Sequence, residues 1–322
     1  MKFPERIIST DIIISSRIRR NRVQPYEPYA WLIEDERTFS GKVEPVGVIF
    51  LTNRECPYKC LMCDLWKNTT TESVQPGAIP KQVKMALEQM PGVRHLKLYN
   101  SGSFFDPKAI PPGDYPEIAL LAGNLDTVVV ESHPHFIGDS CLHFRDLLKP
   151  ELEVAIGLET VCEPVLKALN KKMSLDDFRR AVKFLSSHGI RTRAFILLRP
   201  PFMTEEEGVF WAEKSVDFAF NNGVECCTVI PVRGGNGIMD RLAEEGYFHP
   251  PSIKSLEKVL EYGINLGAGR VFADTWDLNL FSSCPHCLEK RKKRINEMNI
   301  RQALLPPVLC HCNDEPETLN TM

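Results

Sequence analysis

Cys56-Pro57-Tyr58-Lys59-Cys60-Leu61-Met62-Cys63 places three cysteines within eight residues, in a C-x3-C-x2-C spacing. An apolar run over residues 46–51 leads directly into it and reads as a β-strand, so the thiols stand on the loop that follows a strand. Three thiolates from one short loop can bind three irons of a 4Fe-4S cluster and leave the fourth iron open to another ligand. Chance would produce two further cysteines at both spacings roughly 0.01 times in a chain this rich in cysteine. Zinc is the competing occupant, but it takes four protein ligands at structural sites, or three including His at many catalytic ones. With no His beside the triad, Cys56, Cys60 and Cys63 are expected to hold a 4Fe-4S cluster.

Outward from this loop, apolar β-branched runs alternate with segments of helical period, the pattern of βα units around a parallel sheet. Strands are expected over residues 46–52, 95–100, 127–131, 153–158, 191–198 and 226–232, with a short last one at 270–273. Ser174-Leu175-Asp176-Asp177 and Thr204-Glu205-Glu206-Glu207 are helix starts of the capping-box kind, stopped by Gly189 and Gly223. The reading is a partial parallel (β/α)6 barrel, TIM-like, with a small metal-bound tail at the C-terminus. Its parts are a leader at 1–45, a core barrel at 46–235, a helical extension at 236–283 and a Cys-rich tail at 284–322.

Ligand groups of parallel barrels stand at the C-terminal ends of the strands. After the second strand comes Asn100-Ser101-Gly102-Ser103-Phe104-Phe105-Asp106, where Gly permits close backbone approach and Ser adds hydroxyls. The third strand ends in Glu131-Ser132-His133-Pro134-His135, whose two His carry no assigned role. In the fourth, Ile156-Gly157-Leu158-Glu159-Thr160, the Gly invites close approach by another group and the Glu needs a partner, either a cationic ligand or Arg199 of the next strand end. The sixth leads into Arg233-Gly234-Gly235-Asn236-Gly237, a turn or a ligand-contacting loop.

The cysteine loop resembles that of the radical S-adenosylmethionine (SAM) superfamily, where the open iron binds the methionine end of SAM. The resemblance implies reductive cleavage of SAM to methionine and a 5′-deoxyadenosyl radical, with an external electron donor. It also implies a SAM-holding set of Ser101, Gly102, Ser103, Glu131 and Glu159, in which Ser101-Gly102-Ser103 stands where many members carry Gly-Gly-Glu, and it places Met62 against the adenine. A narrower resemblance, to the radical SAM subunit of archaeosine synthase and its relatives, runs from about residue 46 to 313. It rests on the strand-end motifs above, Asn170-Lys171-Lys172 and Leu197-Leu198-Arg199-Pro200-Pro201-Phe202. That resemblance implies cleavage of a carbon–nitrogen bond on a 7-deazaguanine-like base in tRNA, with a partner subunit that builds the lysine adduct. His133, His135, Arg199 and Asp64-Leu65-Trp66 depart from the family pattern. A small-molecule or peptide substrate is the alternative within enzymes, and a noncatalytic Fe-S or zinc RNA-binding or redox-sensing protein the alternative outside them.

The chain of 322 residues, 43% hydrophobic and 25% charged, reads as globular. A net charge of −3 gives no general attraction to nucleic acid or anionic lipid. With no signal-peptide pattern and no apolar run of about 20 residues, a cytoplasmic protein that spans no membrane is expected. The 11 cysteines, an odd number in close groups, suit metal ligation in a reducing compartment. Among them Cys284, Cys287, Cys310 and Cys312 form two doublets able to complete a zinc shell, with a second Fe-S cluster or free thiols as alternatives. Lys290-Arg291-Lys292-Lys293-Arg294 beside them is either a solvated helix face or a phosphate site, and Arg17-Ile18-Arg19-Arg20-Asn21-Arg22 either a packed leader or an RNA-contact arm. Cys141, Cys162, Cys226 and Cys227 read as small apolar residues.

Overall fold

A computed structural model describes residues 1–5 and 7–310. One sheet holds eight strands in sequence order: β1 (Ala30–Arg37), β2 (Val43–Leu51), β3 (His95–Asn100), β4 (Thr127–Ser132), β5 (Glu151–Glu159), β6 (Arg191–Leu198), β7 (Cys226–Pro231) and β8 (Arg270–Ala273). β1 is antiparallel to β2, and every later neighbour is parallel. A short helix, α1 (Thr10–Ser15), precedes the sheet. The crossovers carry α2 (Ala78–Glu88), α3 (Tyr115–Leu121), α4 (Asp139–Leu147), α5 (Glu163–Ala168), α6 (Leu175–Ser187), α7 (Glu205–Asn221), α8 (Ile238–Glu244) and α9 (Ile253–Leu266), and α10 (Pro285–Arg301) follows the last strand. Sequential parallel strands with helices on one face curl into a partial TIM-like barrel, as expected.

Local chemistry sets these elements. Ser174 and Asp177 form a reciprocal capping box at α6, and Thr204 and Glu207 do the same at α7. Phe178, Val182 and Leu185 of α6 are buried along one face, the spacing read from the sequence. Alternation then gives each strand two faces. Leu96, Leu98, Val128, Val130, Val154 and Ile156 pack outward beneath the helices in the main core. Their neighbours point into the barrel.

The inner face is charged at the end where the strands begin. Lys97 Nζ lies 2.6 Å from Glu34 and 2.5 Å from Glu36, Arg193 lies 2.6 Å from Glu36 and 2.7 Å from Glu153, and Arg270 lies 3.3 Å from Glu153. The three carboxylates match three cations, so the network neutralises itself and plugs that end of the barrel. β1 supplies Glu34 and Glu36 from its inner face while Trp31 and Ile33 stay exposed on its outer face. Sequence reading placed no strand there, because the buried face is the charged one.

Farther along the barrel the inner face is aromatic and open. Phe50, Tyr99 and Phe195 are only half-buried, although they sit on interior strands. Tyr29–Phe50, Phe50–Tyr99 and Tyr99–Phe195 ring centroids are 5.6, 6.1 and 6.0 Å apart. Trp276, just past β8, reaches Phe50 at 5.4 Å and so links the last strand to the second across the mouth. No described helix is long and apolar enough to cross a membrane.

Candidate active site at the open end of the barrel

The loop bearing Cys56, Cys60 and Cys63 leaves β2 at the open end and is fixed by groups from several other loops. Leu61 is fully buried in a small second core with Val165, Leu169 and Ile238, and its N–H donates to the Leu169 carbonyl at 2.9 Å. Asn170 donates to the Lys59 carbonyl at 2.7 Å. Asn236 donates to the Leu61 and Cys63 carbonyls at 2.9 and 3.1 Å. The Arg233-Gly234-Gly235-Asn236-Gly237 turn therefore holds the cysteine loop itself through Asn236. Glu55, immediately before the first cysteine, pairs with Arg17 at 2.8 Å, with Lys59 at 2.6 Å and with Arg20. That contact favours the packed-leader reading for two residues of the basic run. Arg17, which also lies over the Trp66 ring at 4.5 Å, and Arg20 are packed against the loop rather than free for phosphates.

Burial pushes the three thiols up to about 12, so they would stay protonated unless a metal centre displaced the proton. Gly102 lies against Cys56. A Cβ there would stand 3.0 Å from Cys56 Cβ and 3.2 Å from its Cα, and its φ of +118° is open to Gly alone. Next to it, Ser101 Oγ is buried without a hydrogen-bond partner among the described residues, as are Asn53 Oδ1 and both side-chain polar atoms of Asn100. The orphaned Ser101 hydroxyl beside a half-buried thiol cluster suits a polar ligand. Ser103 is different: its hydroxyl accepts from the His133 N–H at 2.7 Å and ties the β3 and β4 ends together. Met62 is half-buried at the edge of the second core.

Glu131 faces the lumen at the end of β4, where burial pushes its carboxyl up to about 8. Glu159 ends β5 in the left-handed region, with φ 65°. Its partner is Lys171, whose Nζ stands 2.5 Å from Oε1, and a Cβ on Gly157 would collide with both groups, at 2.3 and 2.4 Å. Arg199 does not reach Glu159: with φ 52° it turns to Glu205, at 2.5 Å, and to the Pro250 carbonyl, at 2.8 Å. Burial opposes the charge on Lys171, but Glu159, paired with it, holds its ammonium above the usual range. Sequence reading gave Lys171 no role, because it belongs to the loop after α5 and only the fold carries it back to the strand end. His133 acquires a structural role. Its ring stacks on Tyr58 at 4.0 Å, its Nε2 lies 3.0 Å from the Lys171 carbonyl, and burial lowers its pKa to about 3, which keeps it neutral. His135 is exposed and bonds the Tyr58 hydroxyl at 3.0 Å.

At the far end of the chain the ligand atoms of Cys284, Cys287 and Cys310 lie within 4.8 Å of one another; Cys312 lies outside the described residues. Cys284 and Cys287 stand at the start of α10, and Cys310 is brought back to them by arginines. Arg291 donates to the Val308 carbonyl at 2.8 Å, and Arg294 to those of Pro306 and Leu305 at 2.7 and 2.6 Å. The same guanidiniums pair with Glu257 and Glu261 of α9. Arg291 and Arg294 are thus buried clamps rather than members of a solvated or phosphate-binding face, because they alone among the five basic residues point at α9 and the tail.

No protein-family model matches the chain. It is similar to an uncharacterised protein of Methanocaldococcus jannaschii, 26% identical over 251 residues, covering 73% of this chain and 69% of the relative. It is also similar to archaeosine synthase subunit beta of Thermococcus kodakarensis, 27% identical over 218 residues, covering 62% of this chain and 65% of that subunit. Thus under two thirds of the archaeosine synthase subunit is spanned. In fold it resembles the archaeal Elp3 of Methanocaldococcus infernus, with TM-score 0.51, 14% identity, and 68% of this chain and 59% of that one covered. Methylornithine synthase gives TM-score 0.51, 15% identity, and coverages of 70% and 64%. The likeness to archaeosine synthase subunit beta agrees with the narrower resemblance read from the sequence, and the two solved structures share the fold.

Proposed function

We propose that this chain is a radical SAM enzyme in which Cys56, Cys60 and Cys63 hold a 4Fe-4S cluster at the open end of the barrel. The observation that carries the reading is the set of three half-buried thiols on a loop pinned from three sides, with Gly102 against Cys56 and the orphaned Ser101 hydroxyl beside it. The cluster would supply the electron that cleaves bound SAM to methionine and a 5′-deoxyadenosyl radical. Gly102 leaves room for SAM's methionine end, and Ser101 offers it a hydroxyl. The Glu159–Lys171 pair would provide charges for the ammonium and carboxylate, Glu131 a carboxyl for the ribose hydroxyls, and Met62 an apolar surface for the adenine.

The similarity to archaeosine synthase subunit beta supports a 7-deazaguanine-like base in tRNA as the substrate, with a partner subunit and an electron donor. At the C-terminus we propose a structural zinc ion on Cys284, Cys287 and Cys310, with Cys312 as a fourth ligand. Tetrahedral zinc with bonds of about 2.3 Å holds its sulfurs about 3.8 Å apart, a span that the close grouping of these ligand atoms suits.

Anaerobic reconstitution followed by metal analysis tests the assignment. We expect about four irons per chain that vanish in Cys56→Ser and Cys63→Ser, and one zinc that persists in both variants but vanishes in Cys287→Ser. Adding SAM should shift the electron paramagnetic resonance of the reduced cluster. A cluster whose spectrum ignores SAM would contradict the enzyme reading. Affinity for tRNA that falls with salt would support the nucleic-acid substrate.

A further inference from the structure

The site described above accounts for the rim of the barrel but leaves one acid in the lumen unexplained. Asp274 follows β8 in the alternation that points Arg270 and Phe272 inward and Val271 and Ala273 into the outer core. Among the described residues its carboxylate accepts one hydrogen bond, from the Trp276 backbone N–H at 3.0 Å. Arg233, the nearest cation at the mouth, is committed to Asp277 at 3.0 Å. A carboxylate has about four acceptor positions, so most of its capacity is unused. Burial correspondingly raises its pKa.

The surroundings indicate what would use that capacity. Trp276, Phe50 and Tyr99 form a continuous run of rings across the lumen, from β8 past β2 to β3. Thr228, on the inner face between Phe195 and Phe272 in the register of the neighbouring strands, has a buried hydroxyl with no partner among the described residues. Rings that are half exposed inside a barrel offer faces for stacking, and a carboxylate accepts but does not donate. A ligand that satisfies both is flat and presents adjacent N–H donors along one edge.

We propose that the lumen is a base-recognition pocket in which Asp274 accepts the paired N–H donors of a guanine-like ring while Trp276, Tyr99 and Phe50 stack against it. This rests on the radical SAM reading and adds the residues that select the substrate. An adenine-like ring is excluded by the same chemistry, because its ring nitrogen at that edge is an acceptor facing an acceptor. An alkylammonium would satisfy the carboxylate but would leave the flat aromatic faces unmatched.

The test uses the full chain with its cluster reconstituted anaerobically, titrated calorimetrically with 7-deazaguanosine and with 7-deazaadenosine. The first should bind and the second should not. Asp274→Asn should weaken 7-deazaguanosine about 10- to 100-fold, the range for losing charge-assisted hydrogen bonds, and Trp276→Ala about 10-fold through lost stacking. Trp276 is 44% exposed, so its variant retains the fold if Asp274→Asn does not. Equal binding of the two nucleosides, binding of neither, or undiminished binding by either variant would overturn the proposal. The SAM-induced spectral change of the reduced cluster is read on the same samples. If it persists while nucleoside discrimination is absent, the pocket assignment fails and the radical SAM reading stands; if it is absent, the radical SAM reading itself fails.

Discussion

Glu159 and Lys171 set the charge of the site before any ligand arrives. Both side chains are nearly buried and lie 2.5 Å apart, so removing one leaves the other uncompensated. Lys171→Met is expected to cost about 3 kcal/mol of stability, and Glu159→Gln combined with it clearly less than the sum of the two single changes; urea unfolding of the set checks this, and strict additivity would show that the pair is not coupled. Glu131 behaves oppositely, because nothing nearby stabilises its ionised form enough to offset burial. Its folded-state pKa is raised from 4.5 to about 8, so the native state holds a proton that the unfolded state has released. The associated stability is fully present below about pH 4.5 and is lost as pH rises through about 8. Glu131→Gln should therefore be neutral at pH 4 and stabilising by about 1–3 kcal/mol at pH 9 in the SAM-free protein. Thermal unfolding at both pH values decides it, and a variant equally stable to wild type at pH 9 would contradict the assigned shift.

The elements divide by how their buried faces are built. β2 to β8 were legible because their outer faces are apolar and β-branched, and their helices announce themselves through capping residues such as Ser174 and Thr204. β1 was not, since its inward residues are Glu34 and Glu36, whose burial makes sense only beside Lys97 and Arg193 from distant strands. α10 misled in the same way: a basic run on a helix reads as solvated until α9 and the returning tail are seen to satisfy Arg291 and Arg294. The tail then depends on that clamp. Arg294→Met should cost about 2 kcal/mol by leaving Glu261 and the Leu305 and Pro306 carbonyls without their donor. It should also lower bound zinc below half an ion per chain while leaving iron unchanged, a split that metal analysis reads directly. Equal loss of iron would mean that the two metal centres are not independent.

On the scale of the whole molecule, one end of the barrel is sealed by a balanced ion network and the other carries the cysteine loop, with an aromatic passage between them. The cysteine triad and the strand-end acids were visible in sequence because each is local. The partnership of Glu159 with Lys171, the role of Asn236 in holding the loop and the contact of Trp276 with Phe50 were not, because each joins residues far apart in the chain. The central claim is that the triad supports reductive cleavage of SAM. It is tested most directly by reconstituting the chain anaerobically, reducing it with dithionite, adding SAM and quantifying 5′-deoxyadenosine beside a Cys60→Ala control. The account predicts 5′-deoxyadenosine from the wild-type chain and none above background from the control; a full cluster that binds SAM and yields none, or equal yield from the control, would contradict it.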